Sequence, residues 1–376
     1  MDRKQIIAIC GACISFYIGA GFATMQEVIQ YEASYGSLFP ITILVAGIIY
    51  LYTNISFAKN GNEQKLERGG DIYEVYCGVF GEKFGKFASK FFDYFAALFC
   101  YMSFVVMCGG ANSTFSQQWG LPNGMGAIIL TVSVIFTVLL GLEGIVKSLS
   151  KMGTIIIVMI LGVSIITAIT GNQMFQANMA AIDAGVFSEK VKQVGNGSPI
   201  MSGASYGGFV ILWFASFLSE IGCKNKLKAV NLGVILSSVF IFGTSTICCI
   251  ALISYFGNVA GVDVPALVLA NQISPWVSQL FAIVICIGIY TSAVPLLWTG
   301  VRKFTPEGNK KYGLLTCVGG ILGCIIACFI PYQGLINILY GINGYLGAIL
   351  MLFMILYDVK NKLKKKGDRN ESTVNQ

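Results

Sequence analysis

The sequence predicts an all-α integral membrane protein with ten transmembrane helices. Of its 376 residues, 55% are hydrophobic and only 11% are charged, and the mean hydropathy is +0.73. A soluble domain carries about 25% charged residues, so this chain has too little polar surface to cover a water-exposed globule. Its long apolar stretches reach the roughly 20 residues that a spanning helix needs. They lack the polar–apolar alternation of spanning strands, which favours helices.

Ten apolar segments account for the predicted spans. They run over residues 6–30, 37–58, 88–110, 124–141, 152–170, 205–222, 230–256, 276–300, 312–330 and 334–357. Alternating these segments across a bilayer puts all but two of the 25 Lys and Arg residues on one side, the exceptions being Lys190 and Lys192. The positive-inside rule then predicts a multi-pass protein of the cell membrane with both termini in the cytoplasm.

Three connections between the segments are longer than a turn. Residues 59–87 suggest a helix at the cytoplasmic interface, and residues 171–204 form a polar outer loop. In 257–275, Pro265 begins a short apolar helix that is expected to cap the outer face. The transmembrane domain covers 1–360, and the charged tail 361–376 is predicted to be disordered.

Composition excludes several classes of function. The sequence contains no His, and its 12 Cys residues lie mostly in apolar runs without a CxxC of metal-site spacing. A zinc site and a Ser-His catalytic pair are therefore not expected, and neither is a bound cofactor. No phosphate-binding Gly-rich loop with Lys occurs, which argues against an ATP-driven pump. The Lys-rich face follows from topology and does not indicate nucleic-acid binding.

The first span contains Gly19-Ala20-Gly21. Each Gly weakens a helix by roughly 1 kcal/mol relative to Ala. Unwinding at this depth would expose backbone groups, which is how secondary transporters build their binding sites. The other interpretation is that the two glycines let a neighbouring helix approach, and the spacing leaves both open.

An unwound first span would offer free N–H groups at Gly19, Ala20, Gly21 and Phe22. Such donors at the start of a half-helix favour an anionic group such as a carboxylate. Residues of the third and sixth spans are expected to complete a solute site, or else to pack as ordinary core residues. They are Tyr101, Phe214 and Ser216.

Glu27 lies in the same apolar run. An intramembrane carboxylate is costly and is by default a functional candidate. It could bind a cationic group of a solute or accept bonds from free amides. The alternative is a hydrated position near the outer interface.

The second half of the chain repeats this organisation. Because five is odd, the halves 6–170 and 205–357 face opposite ways, as in a 5+5 inverted repeat whose spans one and six are discontinuous. In the sixth span, Phe214-Ala-Ser-Phe217 is a polar interruption. In the eighth, adjacent hydroxyls at Thr291 and Ser292 could bind a hard cation, although such hydroxyls often bond to their own helix carbonyls.

The segment from Ile18 to Gln30, Ile-Gly-Ala-Gly-Phe-Ala-Thr-Met-Gln-Glu-Val-Ile-Gln, resembles the first-helix signature of the YkvI-type membrane proteins. These belong to the amino acid–polyamine–organocation superfamily, and the chain is more broadly similar to the LeuT-like 5+5 fold. The resemblance implies a solute site between spans one, three, six and eight. It also implies a sodium site, whose ligands would be the Thr291 and Ser292 hydroxyls and the carbonyls of Ser15, Ile18 and Gly288.

These observations lead to one functional hypothesis and one alternative. The chain is expected to be a secondary carrier of a small organic solute, an amino acid or related compound, coupled to sodium and working by alternating access. The alternative is a membrane sensor or receptor subunit that kept the fold without transporting. Loss of ion dependence would favour that alternative. In both cases the partners are a small solute and the lipid bilayer.

Overall fold

A computed structural model describes residues 3–66, 68, 70–140, 152–306 and 308–374, and within these ranges the regular structure is entirely helical. In chain order the α-helices are α1 (Arg3–Tyr17), α2 (Ala20–Ala23), α3 (Gln26–Tyr31), α4 (Phe39–Gln64), α5 (Asp71–Cys77), α6 (Glu82–Trp119), α7 (Met125–Leu140), α8 (Met152–Thr170), α9 (Asn172–Asp183), α10 (Pro199–Lys224), α11 (Leu227–Ser254), α12 (Phe256–Val259), α13 (Pro265–Ile273), α14 (Pro275–Phe304), α15 (Tyr312–Phe329) and α16 (Tyr332–Val374).

Many of these helices can cross a membrane. Among the described residues, seven helices are long and apolar enough to span, and the number is eight if the bent pair α8 and α9 is one span. The pair bends by 91° after Thr170. Helix α7 has 16 residues and the helices of the interrupted first segment are shorter still, so they are not among these seven. The chain is therefore an all-helical, multi-pass membrane protein.

Polar contacts define two ends of the helix bundle. At the end where α1 begins, which we call the terminal end, Gln64 Nε2 donates to the Tyr357 hydroxyl at 3.0 Å. At the opposite end, which we call the cap end, Gln30 Nε2 donates to the Gln333 carbonyl at 3.3 Å. Helix α13 lies at the cap end, where the Ala266 N–H donates to the Thr24 carbonyl at 3.1 Å.

Glycines bring the helices of the bundle into close contact. An ideal Cβ on Gly61 of α4 would lie 2.8 Å from the Ser219 carbonyl carbon of α10. One on Gly208 of α10 would lie 2.6 Å from the Gly344 carbonyl oxygen of α16. Small residues at such crossings let backbones approach, which is the main source of helix association where lipid removes the hydrophobic driving force.

The sixth span corrects the sequence-based expectation. Helix α10 is continuous from Pro199 to Lys224, so the predicted discontinuity around Phe214-Ala-Ser-Phe217 is wrong. Neither Gly nor Pro lies in that stretch, and the glycines before it serve close packing against α4 and α16. Phe214 is fully buried and contacts the Tyr50 ring at a centroid distance of 5.4 Å. Packing therefore keeps this helix intact.

The connections agree only partly with expectation. The short helix beginning at Pro265 is confirmed as α13. Helix α5 packs against α6 with Tyr73 and Tyr76 buried, so it is part of the bundle and not only an interfacial helix. The last helix, α16, is described to Val374 and so includes most of the charged tail.

Candidate functional site

The first membrane segment is interrupted near its middle. Helix α1 ends at Tyr17, Gly19 is extended with φ −99° and ψ −170°, and the single turn α2 follows. Met25 then has a left-handed conformation, with φ 60°, before α3 begins. The predicted discontinuity of the first span is confirmed, and the interpretation in which both glycines stay within a continuous helix is wrong.

The interruption leaves backbone groups without partners. Among the described residues, no hydrogen bond is made by the N–H groups of residues 19–22 or accepted by the carbonyls of residues 15–18. Regular bonding resumes where the Ala23 N–H donates to the Gly19 carbonyl at 3.0 Å. Free N–H groups attract an anion and free carbonyls attract a cation, so both kinds of ligand are accommodated at one place.

A cavity of about 780 Å³ lies beside the interruption. Its walls come from α1, α2, α6, α10 and α14, with a contribution from α8. Ligand pockets commonly measure about 300–1,000 Å³, so this cavity has room for a small organic molecule. Eight residues singled out from the sequence line it: Ser15, Ile18, Gly19, Ala20, Ser216, Gly288, Thr291 and Ser292.

The predicted cation ligands therefore border one space. The Thr291 hydroxyl donates to the Gly288 carbonyl at 2.8 Å, which is the bond within its own helix that the sequence left open. This bond uses the proton of the hydroxyl and leaves its oxygen lone pairs available to a cation. Thr291 can therefore bond to its own helix and still act as a cation ligand.

Five predicted solute contacts do not line the cavity, and they are Gly21, Phe22, Glu27, Tyr101 and Phe214. The Tyr101 hydroxyl donates to the Gly319 carbonyl at 3.0 Å, so this side chain joins α6 to α15. Phe22 and Phe214 are both fully buried in the core and do not border the cavity. Sequence spacing put these residues on the correct helices, but it did not give the face of each helix that meets the cavity.

Glu27 is also outside the cavity. Only 2% of it is exposed, and the Tyr206 hydroxyl donates to its Oε2 at 3.2 Å. Its side chain folds back against Gly21, whose missing Cβ leaves the space that the carboxyl group occupies. The burial of Glu27 does not fit the hydrated interfacial position.

The cavity reaches the terminal end of the bundle. Its lining there includes Asp93, Arg302 and Lys303. Asp93 and Lys303 form an ion pair, and the guanidinium of Arg302 lies 4.6 Å from the centroid of the Trp298 ring. Within the described part of the chain, Asp93 is the only acidic residue that lines this cavity.

Aromatic side chains that sequence reasoning missed form much of the wall. Phe16 and Phe99 both pack edge-to-face on Trp213, at ring-centroid distances of 5.8 and 5.6 Å. Trp298 lies on the opposite helix, α14. Tryptophan is scarce here, with 4 in the sequence, and the positions of Trp213 and Trp298 inside predicted spans six and eight were a signal that could have been used.

Hydrogen bonds close the cap end above the interruption. The Thr24 and Tyr332 hydroxyls bond to each other at 3.1 Å. The Ser113 hydroxyl donates to Asp263 Oδ2 at 2.8 Å. The first contact joins the outer part of the first segment to α16, and the second joins α6 to the loop before α13, so both close this side of the bundle.

No protein-family profile and no curated protein matches this sequence. Solved structures do match. The Eremococcus coleocola manganese transporter in complex with an aromatic bis-isothiourea substituted compound superposes with a TM-score of 0.53 at 16% identity. That match covers 94% of this chain and 78% of the other. A mutant of the same transporter gives a TM-score of 0.47 at 15% identity over the same shares of the two chains. The first comparison shows that the chain shares the fold of a membrane transporter.

Proposed function

We propose that this protein is a secondary active transporter of a small organic solute, an amino acid or related compound. The observation that carries the proposal is the interrupted first span, whose free backbone groups border a cavity that is closed at one end of the bundle. A closed bundle of packed helices would not need to leave eight backbone groups unpaired. Transporter folds use such broken helices for ion and substrate sites near the membrane midplane.

We further propose ten spans arranged as a 5+5 inverted repeat of the LeuT-like type. The alternation of the helices between terminal end and cap end supports this number, since α7 and the broken first segment both connect the two ends. The excess of Lys and Arg on the terminal side supports cytoplasmic termini in a cell membrane.

The chemistry of the cavity favours an organic zwitterion over a metal ion. Although the structurally similar protein is a manganese transporter, the described residues here contain no group of three His, Cys, Asp or Glu side chains that could hold a metal. Divalent transition metals need such ligands. Aromatic walls at Trp213 and Trp298 and free N–H groups at Gly19 and Ala20 suit an apolar side chain with a carboxylate.

Sodium is the proposed coupling ion. Its oxygen ligands would be the hydroxyls of Thr291 and Ser292 and the carbonyls of Ser15, Ile18 and Gly288, all of which border the cavity. Because Ser15 and Ile18 belong to the broken first segment and the other three ligands belong to α14, a bound ion would tie the broken span to a neighbouring helix. That tie is a physical route by which ion binding can favour one conformation.

The mechanism follows from the asymmetry of the two ends. The cavity extends to Asp93 and Lys303 at the terminal end, while the Thr24–Tyr332 contact closes the cap end. Alternating access would break the contacts at the cap end and close the terminal end around the same cavity. The cap-end hydrogen bonds contribute about 1 kcal/mol each. Ligand binding therefore has enough free energy to shift the equilibrium from the conformation closed at the cap end to the one closed at the terminal end.

Uptake into proteoliposomes tests this function. Purified protein is assayed with a panel of radiolabelled amino acids, with and without an inward sodium gradient. We expect accumulation of at least one apolar amino acid that depends on the gradient. Replacing Thr291→Ala together with Ser292→Ala should abolish the sodium stimulation while the protein stays folded.

A matched control is Thr246→Ala. Thr246 also bonds to a carbonyl of its own helix, at 2.8 Å to Phe242, but does not border the cavity. Its replacement should leave sodium stimulation intact. Specific amino-acid binding without any uptake would instead favour a sensor, and full sodium stimulation in the double variant would refute the sodium site.

A further inference from the structure

A second buried carboxyl group lies outside the cavity. Glu32 directly follows α3 and is 0% exposed. The Ser245 hydroxyl donates to its Oε2, and the Cys249 thiol donates to the same atom at 3.5 Å. Its other oxygen, Oε1, has no hydrogen-bond partner among the described residues. Neither solute nor sodium binding in the cavity makes use of this group.

Glu27 lies only five positions earlier on the same short segment. It is equally enclosed, with the Tyr206 hydroxyl bonded to it and the Tyr340 hydroxyl facing it. Each carboxyl group is enclosed by side chains of another helix, Glu27 by Tyr206 of α10 and Glu32 by Ser245 and Cys249 of α11. The first segment thus brings two acids into one apolar layer.

Among the described residues, no Lys or Arg forms an ion pair with either carboxyl group. The ion pairs found in the described part of the chain all lie elsewhere. The titratable groups that face the pair from α1, α3, α10, α11 and α16 are Tyr17, Tyr31, Tyr206, Cys248, Cys249, Tyr332 and Tyr340. Tyrosines and cysteines are neutral at physiological pH, so they supply hydrogen bonds but no compensating charge.

Electrostatics then decides the charge of the pair. An isolated carboxylate without a counter-ion is very costly in an apolar interior, and such a group takes up a proton instead. Two neighbouring carboxylates would in addition repel each other. Both contacts of Glu32 Oε2 can be kept by a neutral carboxyl group, which has acceptor capacity as well as one O–H donor.

We propose that Glu27 and Glu32 form a proton-binding site beneath the cap end, separate from the cavity. The site holds protons in the present conformation and releases them when water enters from the cap end. In that step the carboxyl O–H bond breaks, the proton passes to a water molecule, and the carboxylate becomes hydrated. The use of this release to drive solute movement rests on the proposed transport function.

The local structure provides the movement that would admit water. The carboxyl groups are carried by the segment between Gly19 and Glu32, which consists of two short helices separated by the left-handed Met25. Contacts of Thr24 hold this segment to α13 and α16. Opening of the cap end would break these contacts and expose both acids together, so proton release and opening share one element.

Infrared difference spectroscopy of the purified full chain in nanodiscs tests the site without any solute. A pH titration in D₂O should show the carbonyl stretch of a protonated carboxylic acid at neutral pH and its loss at high pH. Glu32→Gln and Glu27→Gln should each remove about half of that signal. Ser245→Ala should shift the band in frequency without removing it, because only a hydrogen bond to Glu32 is lost.

Glu82→Gln is the matched control, since Glu82 is exposed and paired with Lys86 at 2.5 Å. It should leave the signal unchanged. Absence of a protonated-carboxyl band from the wild-type protein at neutral pH would overturn the proposal, as would a band that persists at full strength in both Gln variants. Uptake without the band would leave the transport function standing, whereas the band without uptake would leave only the proton site.

Discussion

The contact between Gly21 and Glu27 makes a sharp prediction for Gly21→Ala. An ideal Cβ on Gly21 would lie 2.5 Å from Glu27 Cγ, with the carboxyl atoms closer still. Ordinary contact begins at 3.4 Å, so the whole Glu27 side chain would have to move. It cannot move freely, because Glu27 is enclosed by Tyr206 and Tyr340.

Two costs follow from that displacement. Forcing an extra methyl group into a packed interior costs about 1–3 kcal/mol. Moving the carboxyl group away from Tyr206 leaves a buried polar group unsatisfied, which costs about 1–3 kcal/mol more. We expect Gly21→Ala to lower the free energy of unfolding by about 3 kcal/mol, which lies within the combined range of about 2–6 kcal/mol.

A double-mutant cycle isolates the contact. Glu27→Ala removes the side chain that occupies the space, so adding Gly21→Ala in that background should cost less than about 1 kcal/mol. The coupling between the two positions should therefore be at least about 2 kcal/mol. Reversible unfolding in mixed detergent micelles, followed by tryptophan fluorescence, measures all four proteins. The same reasoning predicts that Gly21→Leu is worse than Gly21→Ala in every background.

Gly11→Ala serves as the control on the same membrane segment. Gly11 lies within α1, and no atom lies within 4 Å of an added Cβ. Alanine there should leave stability unchanged or raise it by up to about 1 kcal/mol. The reasoning would be refuted if Gly21→Ala were as harmless as Gly11→Ala, or if its cost were the same with and without Glu27.

Further predictions test packing and access. Gly208→Ala should destabilise the protein by about 1–3 kcal/mol, because the new Cβ would lie 2.6 Å from a carbonyl oxygen of α16. Gly341→Ala on α16 should be neutral, because an added Cβ there meets nothing within 4 Å. Equal melting temperatures of the two variants would refute this packing argument. In a cysteine-free background, Ser216→Cys should react with a polar maleimide added at the terminal end, and Phe214→Cys, buried at 0% exposure, should not; the reverse order of reactivity would contradict the assignment of the cavity. Asp93→Asn should change the free energy of unfolding by no more than about 1 kcal/mol, because both members of its ion pair are partly exposed, the Lys303 side chain at 30% and the Asp93 side chain at 43%. A larger loss of stability in thermal melts would mean that this ion pair holds α6 and α14 together.

The sequence was informative about everything that depends on local composition. Apolar segments longer than a bilayer core identify a multi-pass helical protein whatever their packing, because burying unpaired backbone in lipid is prohibitive. Gly19-Ala20-Gly21 identified where the first span could be interrupted, since each Gly weakens a helix, but the spacing alone also allowed the close approach of a neighbouring helix. The short capping helix after Pro265 was also predictable from its length and its proline.

The sixth span marks the limit of that reasoning. Its discontinuity was predicted at Phe214-Ala-Ser-Phe217, yet α10 remains continuous there, and the preceding Gly208 packs against the backbone of α16. Whether a glycine unwinds a helix or admits a neighbour depends on what faces it, and that is set by residues more than a hundred positions away. The same applies to Phe214 and Tyr101, which are on the expected helices but on faces that meet other helices.

The sequence by itself thus determined that the chain spans a membrane as helices, and it singled out Gly19-Ala20-Gly21 as a place where the first span either unwinds or admits a neighbouring helix. Its family resemblance made Ser15, Ile18, Thr291 and Ser292 candidates for one site. Only the tertiary structure decided that these residues border a common cavity, that its open end carries Asp93, and that Glu27 is folded away beside Tyr206. The physical reason is that composition and helix propensity act over a few neighbouring residues. The rotation of each helix, and hence the side chains that share a cavity, is fixed by packing between segments distant in the chain.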